Sequence, residues 1–163
     1  MSPCFGDGVL LDGGGAVAGC TPYYTAVYKV GSGTIPPTVK TGINYTNLIS
    51  ENPGGFFNLT TDVATIPFTG TWTITSTIEM ITSAGGICFH GIEINEGSGY
   101  TVFSIDSNDV FSASYCNLVC AVTKYLQAGN TVQFFVQQNT GFNATLNGVQ
   151  RRVNAHFAAN CIP

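Results

Sequence analysis

Between Thr71 and Met80 the chain alternates with a period of two, and that rhythm most constrains how it folds. Trp72, Ile74, Ile78 and Met80 fall on one side, broken only by Ser76, while Thr71, Thr73, Thr75, Thr77 and Glu79 fall on the other. Successive side chains of an extended strand point to opposite faces, so this segment is a strand with one face in a core and β-branched residues outside. Thr131 to Gln137 repeats the pattern, with Val132, Phe134 and Val136 against Gln133, Phe135 and Gln137. Tyr100 to Ile105, Tyr115 to Val122 and Val153 to Ala159 read as further strands. In Tyr115 to Val122, the shared face of Cys116, Leu118, Cys120 and Val122 places both thiols in the core. Along a strand those two Cα atoms lie about 13 Å apart, too far to bridge each other.

Turn signals separate the runs: Gly31-Ser-Gly33, Pro36-Pro37, Asn52-Pro-Gly-Gly55, Gly85-Gly86, Gly97-Ser-Gly99, Ala128-Gly129-Asn130 and Asn147-Gly148. Many short strands with no helix long enough for a crossover indicate an all-β protein, a jelly-roll β-sandwich of two antiparallel sheets. Residues 23–163 form that domain. Residues 1–22, with Gly13-Gly14-Gly15 between Cys4 and Cys20, form a Gly-rich arm with little intrinsic structure. Cys4, Phe5 and Cys20 are its candidate partner contacts. The six cysteines are an even number, but a chain of 163 residues does not need a disulfide framework.

Only 9% of the residues are charged, where ordinary soluble domains carry about 25%. A surface this neutral is expected to be covered by other copies or by a partner. The net charge is −4 with five basic residues, too few to neutralise a run of phosphates, so nucleic acid and anionic membranes are not expected partners. No segment approaches the roughly 18 apolar residues of a membrane span. Met1-Ser-Pro-Cys-Phe-Gly-Asp-Gly lacks the basic and apolar regions of a signal peptide, so the expectation is a trimmed chain or cytoplasmic synthesis and assembly.

Three segments carry a resemblance. Ala26-Val-Tyr-Lys-Val30 opens it. Tyr45-Thr-Asn47, Asn52-Pro-Gly-Gly-Phe-Phe-Asn58, Thr61, Ile66-Pro67 and Gly70-Thr-Trp72 follow in order, then Tyr125-Leu-Gln-Ala-Gly-Asn-Thr-Val132 and the closing Val153 to Ile162. Together they resemble the globular head of the complement C-one-q family, which shares its jelly roll with the tumour necrosis factor family. Departures are Trp72 for the usual Tyr, Asn130 for Asp, Phe157-Ala-Ala for Phe-x-Gly, and no collagen-like stalk. The resemblance implies a compact homotrimer with aromatic side chains along its three-fold axis, and Phe135 and Phe157 are the candidates for that role.

Catalytic chemistry finds little to work with. His90 shares a strand face with Ile92 and Ile94 and reads as a satisfied, partly buried side chain, and His156 falls on the opposite face from Phe157. There is no Gly-x-Ser-x-Gly elbow and no Gly-Lys-Ser/Thr phosphate loop. Zinc needs four convergent ligands, which no Cys or His spacing here provides. Asp106-Ser-Asn-Asp109 reads as a turn, with Asp106 and Asp109 a weak oxygen pair for Ca²⁺. The expectation is therefore no enzyme and no cofactor. Asn44-Tyr-Thr46, Asn58-Leu-Thr60 and Asn143-Ala-Thr145 are glycosylation acceptors that matter only in a secreted protein.

Two functions fit. The first is a virion structural protein, a trimeric decoration, cement or fibre-head protein seated among capsid protein neighbours. The second is an extracellular recognition head binding a receptor, glycan or microbial surface through the loops Asn52 to Asn58, Ser83 to Gly86, Glu96 to Gly99 and Asn139 to Asn147, with Asn52, Phe56, Asn58 and Asn143 as candidate contacts.

Overall fold

The structure is a computed structural model that describes residues 23–52, 54–110, 114–149 and 152–159. The arm residues Cys4, Phe5 and Cys20 lie outside the described residues. Thirteen strands and no α-helix occur within them: β1 Tyr23–Tyr28, β2 Ser32–Ile35, β3 Thr41–Gly42, β4 Asn47–Asn52, β5 Phe57–Asn58, β6 Val63–Thr65, β7 Gly70–Thr82, β8 Gly86–Asn95, β9 Tyr100–Val110, β10 Ser114–Leu126, β11 Thr131–Gln138, β12 Ala144–Asn147 and β13 Asn154–Ala159.

Two antiparallel sheets face each other as a jelly roll. The first runs β4-β1-β13-β7-β10, with β12 and β2 attached at the far end of β7. The second runs β5-β6-β11-β8-β9, with β3 on β11. The alternation of residues 71–80 appears as read: Trp72, Ile74, Ser76, Ile78 and Met80 are all buried between the sheets. The break at Ser76 has a local cause. Its hydroxyl donates to the Asn154 carbonyl at 3.0 Å, and the buried Tyr45 hydroxyl, 3.1 Å away, donates to Ser76 Oγ. Burial raises the Tyr45 phenol well above its ordinary pKa, which keeps that donor protonated.

Chain reversals are set by residues suited to them. β6 stops ahead of Pro67, which lacks the amide hydrogen needed to extend a ladder. The following corner is locked to the next turn: Ile66 N–H donates to Asn130 O and Gly129 N–H donates to Ile66 O, each at 2.8 Å. Gly129 takes φ +88°, a left-handed conformation that favours glycine, and Asn130 Oδ1 accepts the Gln127 N–H.

Four expectations change at this level. Phe157 lies inside its own chain, not on an exposed three-fold face. Its ring meets Phe56 at 5.1 Å, Phe134 at 5.7 Å and Phe57 at 6.3 Å between centroids, joining the two sheets. Phe56 is 3% exposed and also packs on Trp72, so it is a core residue and not part of a binding loop. Asp106 and Asp109 sit within β9 rather than in a turn, because pairing with β8 extends the segment despite its turn-forming composition. Three residues apart on a strand they point to opposite faces and do not converge on a cation.

The fourth concerns Phe135, which projects from the outer face of the second sheet but is covered by its own chain. Gly91 opposite it on β8 has no side chain, and the ring fills that space: a Cβ on Gly91 would come within 2.3 Å of it. Lys40 Nζ closes over the ring at 5.2 Å while pairing with Glu93 at 2.6 Å. Gly91→Ala is therefore expected to lower stability by about 1–3 kcal/mol in urea unfolding. Adding Phe135→Leu should recover part of that loss; a neutral Gly91→Ala would contradict this seating of the ring.

Candidate functional site

The outer face of the first sheet follows from the same alternation that builds the core. Cross-strand register places Thr71 beside Tyr125, Thr73 beside Thr123, Thr75 beside Ala121, Thr77 beside Val119 and Ile81 beside Tyr115. On the other side of β7, Ala158, His156 and Asn154 of β13 continue these rows at Thr73, Thr75 and Thr77. Tyr115 is 59% exposed, Val119 57% and Tyr125 63%, all on a strand whose inward side chains at Cys116, Leu118 and Cys120 are buried. Apolar residues on both faces of one strand mark a surface that a single chain leaves open.

Among the described residues of this face charge is nearly absent. Glu79 stands in the outward row of β7, but Arg152 Nη1 contacts both its carboxylate oxygens, at 2.7 and 2.8 Å, and the Asn147 amide donates to it as well. The contact with Glu79 raises the Arg152 guanidinium above its usual value. His156 lies exposed on this face, on the opposite side of its strand from Phe157 as the alternation implies.

Where the two sheets meet along one side, edge strands β9 and β10 run together. Asp106 Oδ2 accepts the Val119 N–H at 2.9 Å, so a side chain stands in for a ladder partner on the edge of β10. This arrangement protects one edge donor from pairing with a foreign strand. Tyr100, Val102, Phe103 and Ile105 of β9 remain exposed beside this seam, with Lys124 Nζ 4.2 Å from the Phe103 ring centroid.

The candidate loops divide between the two ends of the sandwich. β8 spans ten residues, about 33 Å, and carries residues 83–85 at its start and 96–99 at its finish. Asn139 joins the first end, its Oδ1 accepting the Ile87 N–H at 2.6 Å. Phe142 and Asn143 are exposed there. Asn58 is exposed in β5, where its side chain accepts the Thr60 and Thr61 N–H groups, and Asn52 ends β4. Residues 83–85 and 139–143 thus share an end, while 96–99 do not.

Inside the sandwich His90 is wholly buried. Its Nδ1 lies 2.9 Å from the Phe135 carbonyl, which can only accept, so the proton sits on Nδ1 and Nε2 is the bare nitrogen. Among the described residues Nε2 has no hydrogen-bond partner. The Cys120 thiol donates to the His90 carbonyl at 3.0 Å, and burial raises that thiol's pKa. Among the described residues no group of three or more His, Cys, Asp or Glu side chains is placed to hold a metal ion.

No protein-family signature matches the sequence, and no curated protein matches it. The backbone does match solved structures. Against murine APRIL the TM-score is 0.68, covering 85% of this chain and 99% of that one at 11% identity. Against the Eiger TNF protein of S. frugiperda it is 0.69, covering 87% and 94% at 9% identity. At these identities the likeness establishes the fold, a tumour necrosis factor-like jelly roll.

Reading the sequence by inward faces missed Tyr115, Val119, Tyr125 and Phe142. The available signal was β10 itself, where aromatic and branched residues occupy both parities.

The buried imidazole makes a pH dependence with a definite sign. Burial lowers the His90 pKa in the fold, whereas the unfolded side chain titrates near about 6.5. The unfolded state therefore binds more protons below that pH. Stability should be full above pH ~6.5 and fall by up to about 1.4 kcal/mol per unit as pH drops below it. Asp62, whose carboxyl burial holds above its usual range, acts with the opposite sign, so a comparison with His90→Leu isolates the imidazole. Urea midpoints at pH 7.5, 6.5 and 5.5 should slope more steeply for the native chain than for His90→Leu. Equal slopes would contradict the assignment.

Proposed function

We propose that this chain is a non-enzymatic homotrimeric head that works outside the cell and recognises a receptor, glycan or microbial surface through loops at one end of its jelly roll. The observation that carries the reading is the exposed, almost uncharged outer face of the first sheet, where Tyr115, Val119 and Tyr125 stand among threonines and alanines. Threonine methyls and alanine permit close approach of a second copy, and the absence of unpaired charge removes the desolvation cost that opposes it. Stable interfaces bury about 1,600 Å² in total, an area within reach of a sheet face of this extent. The tumour necrosis factor-like fold supports the same arrangement.

In such a trimer the end loops of three copies lie near one another. Phe142 and Asn143, beside residues 83–85, offer an exposed aromatic ring and an amide of the kind that engages sugars or protein side chains. A rigid sandwich holding exposed loops suits recognition, since the scaffold fixes the positions of groups whose identity can vary.

A second reading, a virion decoration or cement protein placed among capsid subunits, is favoured by the charged fraction of 9%. There the same trimer would add buried area at the joints of a shell.

Both readings need the trimer, and a charge placed in its face tests it. Val119→Glu faces outward and touches none of the core, so the fold should persist. Light scattering on the native chain should give a trimer mass, and Val119→Glu should shift it to the monomer with an unchanged circular dichroism spectrum. A native monomer, or a trimer indifferent to Val119→Glu, would overturn the proposal. Binding to immobilised glycans or cell surfaces, lost on Phe142→Ala with the trimer intact, would separate recognition from a role in a shell.

A further inference from the structure

We propose that the turn at residues 139–143 is a pre-organised binding site for a neutral glycan, with Phe142 as its contact and Gln138 as the residue that positions it. The assignment rests on the extracellular head proposed above and gives that head a ligand class. Gln138 ends β11 wholly buried, with both halves of its side-chain amide in use. Its Nε2 donates to the Ile35 carbonyl at 3.1 Å and to the Phe142 carbonyl at 2.8 Å. Its Oε1 accepts the Thr140 N–H and the Thr140 hydroxyl, each at 2.7 Å. Asn139 ties the turn to β8: its N–H donates to the Ile87 carbonyl at 3.0 Å, and its Oδ1 accepts the Ile87 N–H at 2.6 Å. Gly86 leaves the room this requires, since a Cβ there would come within 2.7 Å of Thr140 Cα. Gly141 takes φ +79°, the left-handed conformation that lets the chain reverse.

One buried amide therefore fixes the reversal, while the ring it carries outward, Phe142, is 64% exposed. A ring on a backbone already held in place binds without the entropy cost of ordering a loop. The surrounding side chains set the class of ligand. Residues 83–86 and 139–147 contain no Asp, Glu, Lys or Arg, so they hold nothing to pair with a sialic acid or a sulfate. Phe142 is the one large apolar side chain of 83–86 and 139–143, among Ser, Ala, Gly, Thr and Asn. A protein partner is met by several large anchors inside a polar rim, whereas a single ring among small neutral residues suits a ligand no larger than a sugar ring or two. The C–H face of a pyranose packs on an aromatic ring, and its hydroxyls take neutral donors and acceptors. Asn139 and Asn143, both exposed, bracket the turn with amides that offer both.

The full-length chain, applied to a printed array of neutral, sialylated and sulfated oligosaccharides, should bind neutral members, with binding unchanged in high salt. Phe142→Ala should abolish binding and leave the trimer mass and circular dichroism spectrum as they are. Gln138→Met keeps the length of the side chain and removes its hydrogen bonds, and should weaken binding of the best neutral oligosaccharide about tenfold. In that variant, amide hydrogen exchange should quicken at Thr140 and slow again when the oligosaccharide is saturating, a response that a role in stability alone would not give. Native protein that binds no neutral oligosaccharide, binds only charged ones, or binds equally after Phe142→Ala would overturn the proposal. Equal affinity of Gln138→Met would overturn the positioning role. Failure on an intact trimer strikes this site alone, whereas a native monomer strikes the reading it rests on.

Discussion

The packing of Phe157 against Phe56, Phe57 and Phe134 is the contact on which the two-sheet arrangement depends. Phe157 belongs to β13 at the middle of the first sheet, and Phe134 to β11 at the middle of the second. Phe56 and Phe57 come from the short β5 region and insert between them. Aromatic pairs of this geometry contribute about 0.5–1.5 kcal/mol each beyond the area they bury. Because β13 also pairs with β1 and β7, a ring fixed at Phe157 fixes the register of three strands. Once those strands are in register, the alternation of β7 decides which residues remain outside.

That outside face is the functional consequence of the core. The same pleat that sends Trp72, Ile74 and Ile78 inward sends Thr73, Thr75 and Thr77 outward, and β10 sets Val119 beside Thr77. Among the described residues nothing charged interrupts these rows except Glu79, which pairs with Arg152 and accepts a hydrogen bond from Asn147. The low charge of the sequence therefore has a location. On the second sheet, by contrast, Glu93 is held by Lys40 and Gln133, and the outward Phe135 is already covered. The ring of Phe135 is thus covered by its own chain, while Tyr115, Val119 and Tyr125 of the first sheet stay exposed.

How much of this was legible in the sequence depended on the range of the interactions involved. β7 and β11 could be read directly, because strict alternation is a property of one segment, and so could the inward placement of Cys116 and Cys120. The fold class followed from the spacing of turns and from the resemblance. Asp106 to Asp109 was misread because its local preference is for a turn, and only the facing strand β8 overrides that preference. Phe56 followed a Pro-Gly-Gly signal and looked like a loop residue, yet the chain returns at once to the core. For Phe157, periodicity gave the face but could not say whether that face met its own second sheet or a neighbouring copy.

Hydroxyl-radical footprinting of the native chain in solution is the most direct test of whether the outer face of the first sheet is the covered one. Tyr115, Val119 and Tyr125 are each more than half exposed in the single chain, as are Phe142 and Val149 on the loops. If three copies meet on this face, the first group should be strongly protected while Phe142 and Val149 are oxidised freely. Equal modification of both groups would show that the face is open to solvent, and would contradict the assembly on which the proposed function rests.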